Sequence, residues 1–158
     1  MKRLALIALV CLPLACATNR QPKPKSSVTP GRGIIKMTVT PNPVVAANVG
    51  GSTYSFPFDV VVQETGGHPV TIEHVTASVY AGGGIPVATE SFDATKIQSL
   101  GFTTSIAAKG EIRYHFDPRK EVPDPSLLNS VYGDVRVEGI DDNGARASST
   151  TRITVTKK

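Results

Sequence analysis

The side chains of this 158-residue chain best suited to chemistry are few and scattered. His68, His74 and His115 are its only histidines, and none has a His or Cys neighbour at the short spacings that build a zinc site. They read as ordinary surface or structural histidines. Asp141-Asp142-Asn143-Gly144 has the acids and glycine of a calcium loop, but such a loop also needs spaced oxygen ligands and a terminal Glu, and position 152 is Arg. Turn chemistry is the simpler reading. Asp117 and Glu121 stand beside Arg119 and Lys120, a mixed and solvated surface. No G-x-S-x-G elbow presents a serine nucleophile, and Gly82-Gly83-Gly84 lacks the Lys and helix of a phosphate-cradling loop. A carboxylate pair working as acid and base would have to be assembled across loops. The expectation is a non-catalytic protein with no metal and no cofactor; a small extracytoplasmic hydrolase is the reading from another class.

The two cysteines, Cys11 and Cys16, both lie near the N-terminus. Met1-Lys2-Arg3 is a basic start, Leu4 to Leu14 is apolar apart from Pro13, and Ala15-Cys16-Ala17 supplies small residues before polar sequence begins. That is the three-part pattern of an export signal, and its apolar run is too short to cross about 30 Å of hydrocarbon. Leu12-Pro13-Leu14-Ala15-Cys16 resembles the lipobox of bacterial lipoproteins. The resemblance implies that residues 1–16 are a signal peptide ending at the lipobox, that Cys16 is the site of lipid (palmitate) attachment and the new N-terminus, and that Ala17 suits outer-membrane sorting in a two-membrane cell. The same residues also read as an A-x-A site cleaved after Ala17, which would give a free periplasmic or secreted protein.

The formal charge of +4 is unevenly placed. Residues 1–32 hold Lys2, Arg3, Arg20, Lys23, Lys25 and Arg32 and no acid; the remainder carries 11 basic and 13 acidic side chains, or 11 − 13 = −2. With no clustered cationic face and few aromatics for base stacking, the folded part is not expected to bind nucleic acid. Residues 17–32 contain three prolines and almost no apolar side chains, the composition of a flexible tether that spans at most about 50 Å.

From residue 33 onward the rhythm is period two, the spacing of strands with one buried face. Ile35, Met37 and Val39 share a face until Pro41-Asn42-Pro43 stops the run. Tyr54, Phe56, Phe58, Val60 and Val62 form the clearest strand, with Pro57 predicting an edge or a bulge on its side. Val70 and Ile72 begin a strand whose phase shifts near His74 to Val75, Ala77 and Val79, as a β-bulge would produce. Ile85 and Val87 suggest a short strand, and residues 92–102 fit a strand, a helical turn or a loop. Ile112, Tyr114 and Phe116 alternate cleanly. Val131 to Val137 and Ala147 to Val155 flank the Asn143-Gly144 turn, where both residues tolerate positive φ. About seven short strands without an amphipathic helix predict an all-β, two-sheet sandwich over residues 33–158.

The run Val131-Tyr132-Gly133-Asp134-Val135-Arg136-Val137-Glu138-Gly139-Ile140-Asp141-Asp142-Asn143-Gly144, with Thr151-Arg152-Ile153-Thr154-Val155, resembles the last hairpin of bacterial immunoglobulin-like, PKD and fibronectin type III domains. Tyr132 is out of phase with Val135 and Val137, unlike the tyrosine that often shares a face with the core in those families. The resemblance implies an immunoglobulin-like sandwich that binds an envelope or surface protein or a glycan through loops or an open strand edge, either the Pro57 strand or the gap before Ile85. A secreted inhibitor or chaperone-like sandwich is the alternative among binding proteins.

Overall fold

The computed structural model describes residues 31–158; the export signal, Cys16 and most of the tether lie outside the described residues. Eleven strands and one short helix follow in order: β1 (Ile35–Thr40), β2 (Val44–Gly50), β3 (Thr53–Ser55), β4 (Phe58–Glu64), β5 (Val70–Ala81), β6 (Ile85–Asp93), α1 (Ala94–Ser99), β7 (Ser105–Ile106), β8 (Glu111–Phe116), β9 (Arg119–Glu121), β10 (Tyr132–Asp141) and β11 (Arg146–Lys157). They form an all-β sandwich of two sheets. The smaller sheet is β1-β4-β8; the larger runs β6-β5-β10-β11-β2-β3-β9, with β7 also paired to β5. Every pairing is antiparallel except β11 with β2, where Val155 faces Val44 in parallel register.

Alternation in the sequence becomes burial in the structure. Ile35, Met37 and Val39 on β1, Val60 and Val62 on β4, and Ile112 and Tyr114 on β8 pack against Val70 and Ile72 on β5, Val135 and Val137 on β10, and Ile153 on β11. Phe102 closes one side, its ring edge-on to Tyr114 at 5.0 Å, and the Tyr114 hydroxyl donates to the Thr103 carbonyl at 2.7 Å. On the other side, β1 is tied to β11 through side chains. The Met37 N–H donates to Ser149 Oγ at 3.2 Å, and Thr151 Oγ1 donates to the Met37 carbonyl at 3.1 Å.

Several expectations are corrected. There are more than seven strands, because β3, β7 and β9 are too short to show a rhythm and β2, Val44-Val45-Ala46-Ala47-Asn48-Val49-Gly50, is apolar on both faces at its start. The run through Pro57 is not one strand with an open edge. It breaks at Phe56-Pro57, where the missing N–H cannot continue a ladder, and the chain changes sheets. β3 then sits between β2 and β9, and β4 between β1 and β8, so neither is an edge. The hairpin after β10 does not use two positive-φ residues either. Only Gly144 takes positive φ (+81°), in a three-residue loop closed by Asp141 N–H to the Ala145 carbonyl at 2.9 Å. The bulge is where the phase shift put it: Ile72 faces Gly139 and His74 faces Glu138, leaving Glu73 extra. Residues 92–102 finish β6, form α1 capped by Asp93, and turn.

Two buried carboxylates join the start of the domain to both sheets. Glu64, at the end of β4, is 2% exposed. Its Oε1 accepts the N–H of Ile34 at 3.0 Å and of Gly66 at 2.5 Å; its Oε2 accepts those of Gly67 at 2.8 Å and Lys109 at 2.9 Å. Lys109 is held at φ +58° to aim that N–H. Asp141, at the end of β10, accepts Gly33 N–H on Oδ2 at 2.7 Å, and Asn143 and Ala145 N–H on Oδ1 at 2.9 and 2.8 Å. Consecutive amides, Gly33 and Ile34, are thus held by the larger and the smaller sheet respectively. Gly66 must be glycine here, because a Cβ would collide with the Arg32 carbonyl and approach Ile34 N to 2.8 Å.

Burial acts to raise the Glu64 carboxyl, but the N–H donors of Lys109, Ile34, Gly67 and Gly66 outweigh it and hold the group at about 2. A folded value below the unfolded one contributes stability that is fully present above about pH 4.5 and is lost as the pH falls toward about 2. Glu64→Gln turns an amide N–H₂ toward backbone donors and should cost about 3 kcal/mol in urea unfolding at pH 7. Its stability should also fall less steeply than the wild type's between pH 5 and pH 2. A variant as stable as the wild type at neutral pH would contradict this account of the joint. Gly66→Ala should destabilise as well and shift the amide resonances of residues 32–34; unchanged resonances would show the collision to be relieved elsewhere.

Candidate functional site at the distal pole

The sheet directions give the domain two poles. β10 runs from Tyr132, opposite Tyr80, to Asp141, opposite Val70. The N-terminal joint at Asp141 and the β5–β6 hairpin tip therefore lie at opposite ends, about 30 Å apart at roughly 3.3 Å per strand residue. From that tip β6, nine residues long and the edge of the larger sheet, runs back along the side of the domain until Asp93 faces His74, which in turn faces Glu138, three residues short of Asp141. Every β6 residue is exposed except the half-buried Phe92; Ile85 and Val87 are 63% and 62% exposed. The short strand expected at Ile85 and Val87 runs for nine residues, and the open edge is this strand and not the gap before it, where Gly82–Gly84 make the hairpin turn. Beneath β6 the smaller sheet has no facing strand, since β1 lies against β11 and only β4 and β8 remain to cover β10 and β5.

The outer face of the same pole carries a row of rings and charge. Tyr80 and Tyr132 are a cross-strand pair, stacked with centroids 5.0 Å apart and planes 19° apart. The Arg152 guanidinium lies 4.3 Å from the Tyr132 centroid and donates two N–H groups to Asp134 at 2.9 and 3.0 Å. That fork holds the Asp134 carboxyl below the usual range and Arg152 above its own. Tyr132 is therefore an outward-facing platform residue, in keeping with its phase. Alongside, Thr89 Oγ1 donates to Ser78 Oγ at 3.2 Å.

The histidines do not converge. His68 Nδ1 lies 3.0 Å from Asp142 Oδ1, near the joint. His115 Nδ1 lies 2.8 Å from Asp59 Oδ1 on the exposed face of the smaller sheet, and with Arg113 it holds Asp59 below its usual value. His74 lines a depression of about 230 Å³ at the bulge, with Glu73, Arg136, Glu138 and Arg146. Glu138 is held low there, first by the hydrogen bond from Arg136. Asp117 accepts from Ser55 Oγ and stands apart from Glu121. Gly82–Gly84 forms the hairpin tip. Among the described residues no three His, Cys, Asp or Glu side chains gather as a metal-binding group, and no helix is long and apolar enough to cross a membrane.

Two features were not foreseen from the sequence. Glu64 continues the inward phase of Val60 and Val62 by one step, so the rhythm itself pointed to it. The Tyr80–Tyr132 stack depends on which strands pair and in what register, for which the sequence holds no local sign.

No family model and no curated protein matches the chain. Among solved structures it is similar to the X-ray structure of a Northeast Structural Genomics Consortium target at 13% identity, with a TM-score of 0.51 over 77% of this chain and 86% of that one. Weaker likenesses reach the putative ApaA protein from Bordetella pertussis (12% identity, TM-score 0.47, 79% and 96% covered). They also reach a CARDB domain from Pyrococcus furiosus, solved in complex with di-metal ions (14% identity, TM-score 0.40, 82% and 99% covered). At 13% identity the first likeness is one of fold, and with the pairing described above it sets the chain among two-sheet β-sandwich domains.

Proposed function

We propose that this protein is a non-catalytic binding or accessory module of the bacterial cell envelope, with an immunoglobulin-like sandwich held at the membrane by lipid on Cys16. It contacts an envelope or surface protein or a glycan with the open edge that starts at its distal pole. The observation that carries the reading is an open nine-residue edge, β6, along the side of the larger sheet, starting from a hairpin tip opposite the joint through which a tether leaves. A tether about 50 Å long at full extension gives that pole reach above a membrane surface. The fixed joint makes the domain move as one body on it. In a two-membrane cell Ala17 favours the outer membrane.

The lipid is tested by labelling cells with an alkyne analogue of palmitate and fractionating them. The natural chain should carry label and sediment with membranes, and Cys16→Ser should lose the label and become soluble. Unlabelled natural chain, soluble after cleavage past Ala17, would instead favour a secreted inhibitor or chaperone. For the contact, a photo-crosslinking residue at Thr89 should capture a partner in cells that the same residue at Thr38, on the outer face of the smaller sheet, does not. Equal capture at both positions, or substrate turnover by the purified protein, would contradict the reading.

A further inference from the structure

We infer that the partner is an extended peptide segment that adds to β6 as one more antiparallel strand and sets a basic residue beside Glu90. The inference rests on the binding-module reading and names the chemistry along its open edge.

Sheet edges invite unwanted pairing, and folded proteins blunt them with shortness, prolines, bulges, cationic side chains or cover. The other edges of this sandwich follow that rule. β9 is three charged residues, Arg119-Lys120-Glu121; β1 is tied to β11 by Ser149 and Thr151; and β8, the other edge of the smaller sheet, is six residues long and carries Arg113 and His115. β6 is different. Its proline, Pro86, and its register shift opposite Val79 and Tyr80 both sit at the hairpin tip. Ala88 to Asp93 then runs on with no lysine, no arginine, no proline and no covering element drawn over Ala88, Thr89, Glu90 and Ser91. An edge that is long, regular and unguarded is one a second strand can occupy.

The side chains specify what kind of strand. Thr89 and Ser91 pair with Ser78 and Thr76 on the outer face, while Ala88 and Glu90 pair with Val79 and Ala77 on the inner one. An added strand therefore meets hydroxyls on one face, and on the other an apolar stretch interrupted by one carboxylate. Glu90 forms no ion pair among the described residues, and its cross-strand neighbour is Ala77. Asp93, the other acid of β6, already accepts the Lys96 N–H at 2.7 Å as the cap of α1. Opposite charges on adjacent strands attract and like charges repel. A Lys or Arg flanked by apolar residues at alternate positions is thus the complement of β6. A second copy would bring two Glu90 and two Asp93 to one seam with no base, and a glycan has no ladder of N–H and C=O groups to match an open backbone.

The test uses the exported chain carrying Cys16→Ser, labelled with ¹⁵N, and two capped peptides, Thr-Val-Thr-Lys-Thr-Val-Thr and the same sequence with Glu for Lys. The Lys peptide should shift the amide resonances of residues 87–91 and bind at least about fivefold more tightly than the Glu peptide, a gap of the size expected for one cross-strand charge pair. Glu90→Lys, an exposed substitution that leaves the fold intact, should reverse that order. The inference is overturned if neither peptide binds, if the shifts fall away from β6, if the two bind equally, or if the order survives the Glu90 change. Shifts at β6 that grow with protein concentration alone would assign the edge to a second copy and overturn it too. If the peptides fail while the Thr89 crosslink persists in cells, the strand chemistry is wrong and the module reading stands; if both fail, both fall.

Discussion

Four backbone N–H groups converge on one carboxylate, that of Glu64, in a site with almost no access to water. Leaving any of those donors without an acceptor costs more than an average hydrogen bond contributes, so the loops that bring them must come together or the core beneath must open. The first residues of the domain, the loop after β4 and the turn before β8 are fixed by this one group. Asp141 does the same for the far side of the joint, where Gly33 N–H is its strongest partner in lowering the carboxyl. The next amide, Ile34, belongs to Glu64. The two sheets are thereby pinned to each other where the chain enters the fold.

That constraint gives the molecule a direction. Everything at the pinned pole is satisfied: carboxylates accept, glycines fit where side chains collide, and His68 meets Asp142. Along the side of the larger sheet, from the opposite pole down to Asp93, β6 is left with bare backbone on one side and exposed side chains on both faces. The domain is fixed at one end and open along one side of its larger sheet. The Tyr80–Tyr132–Arg152 row stiffens the outer face beside that edge without closing it.

Much of this architecture could be read from residue order. Period-two runs located β1, β4, β8, β10 and β11; the phase shift near His74 located the bulge; and the Asp141–Gly144 run marked a turn. Failures occurred where local pattern stops being informative. β2 alternates poorly because its apolar side chains do not separate by face, and Pro57 signalled a discontinuity whose outcome, a change of sheet, depends on tertiary pairing. Glu64 was legible in principle, being in phase with Val60 and Val62, yet an acid at the end of a strand is ordinarily solvated; only the later Gly66-Gly67 and the distant turn at Lys109 make burial tolerable. An edge was expected at the gap before Ile85, one step short of β6 itself, whose length was hidden, since Ala88 to Ser91 has neither a strong strand propensity nor a repeated apolar face.

The account turns on a rigid joint at one end and a loosely held edge along one side, and native-state amide hydrogen exchange resolves both at once. The amides of Gly33, Ile34, Gly67 and Lys109 should exchange only with global unfolding, as slowly as Val62 and Ile72 in the core, whereas residues 88–91 of β6 should exchange through local fluctuations many times faster. Fast, local exchange at Gly33 and Ile34 would show that the two carboxylates do not fix the joint, and the picture of a tethered module with one open edge would lose its foundation.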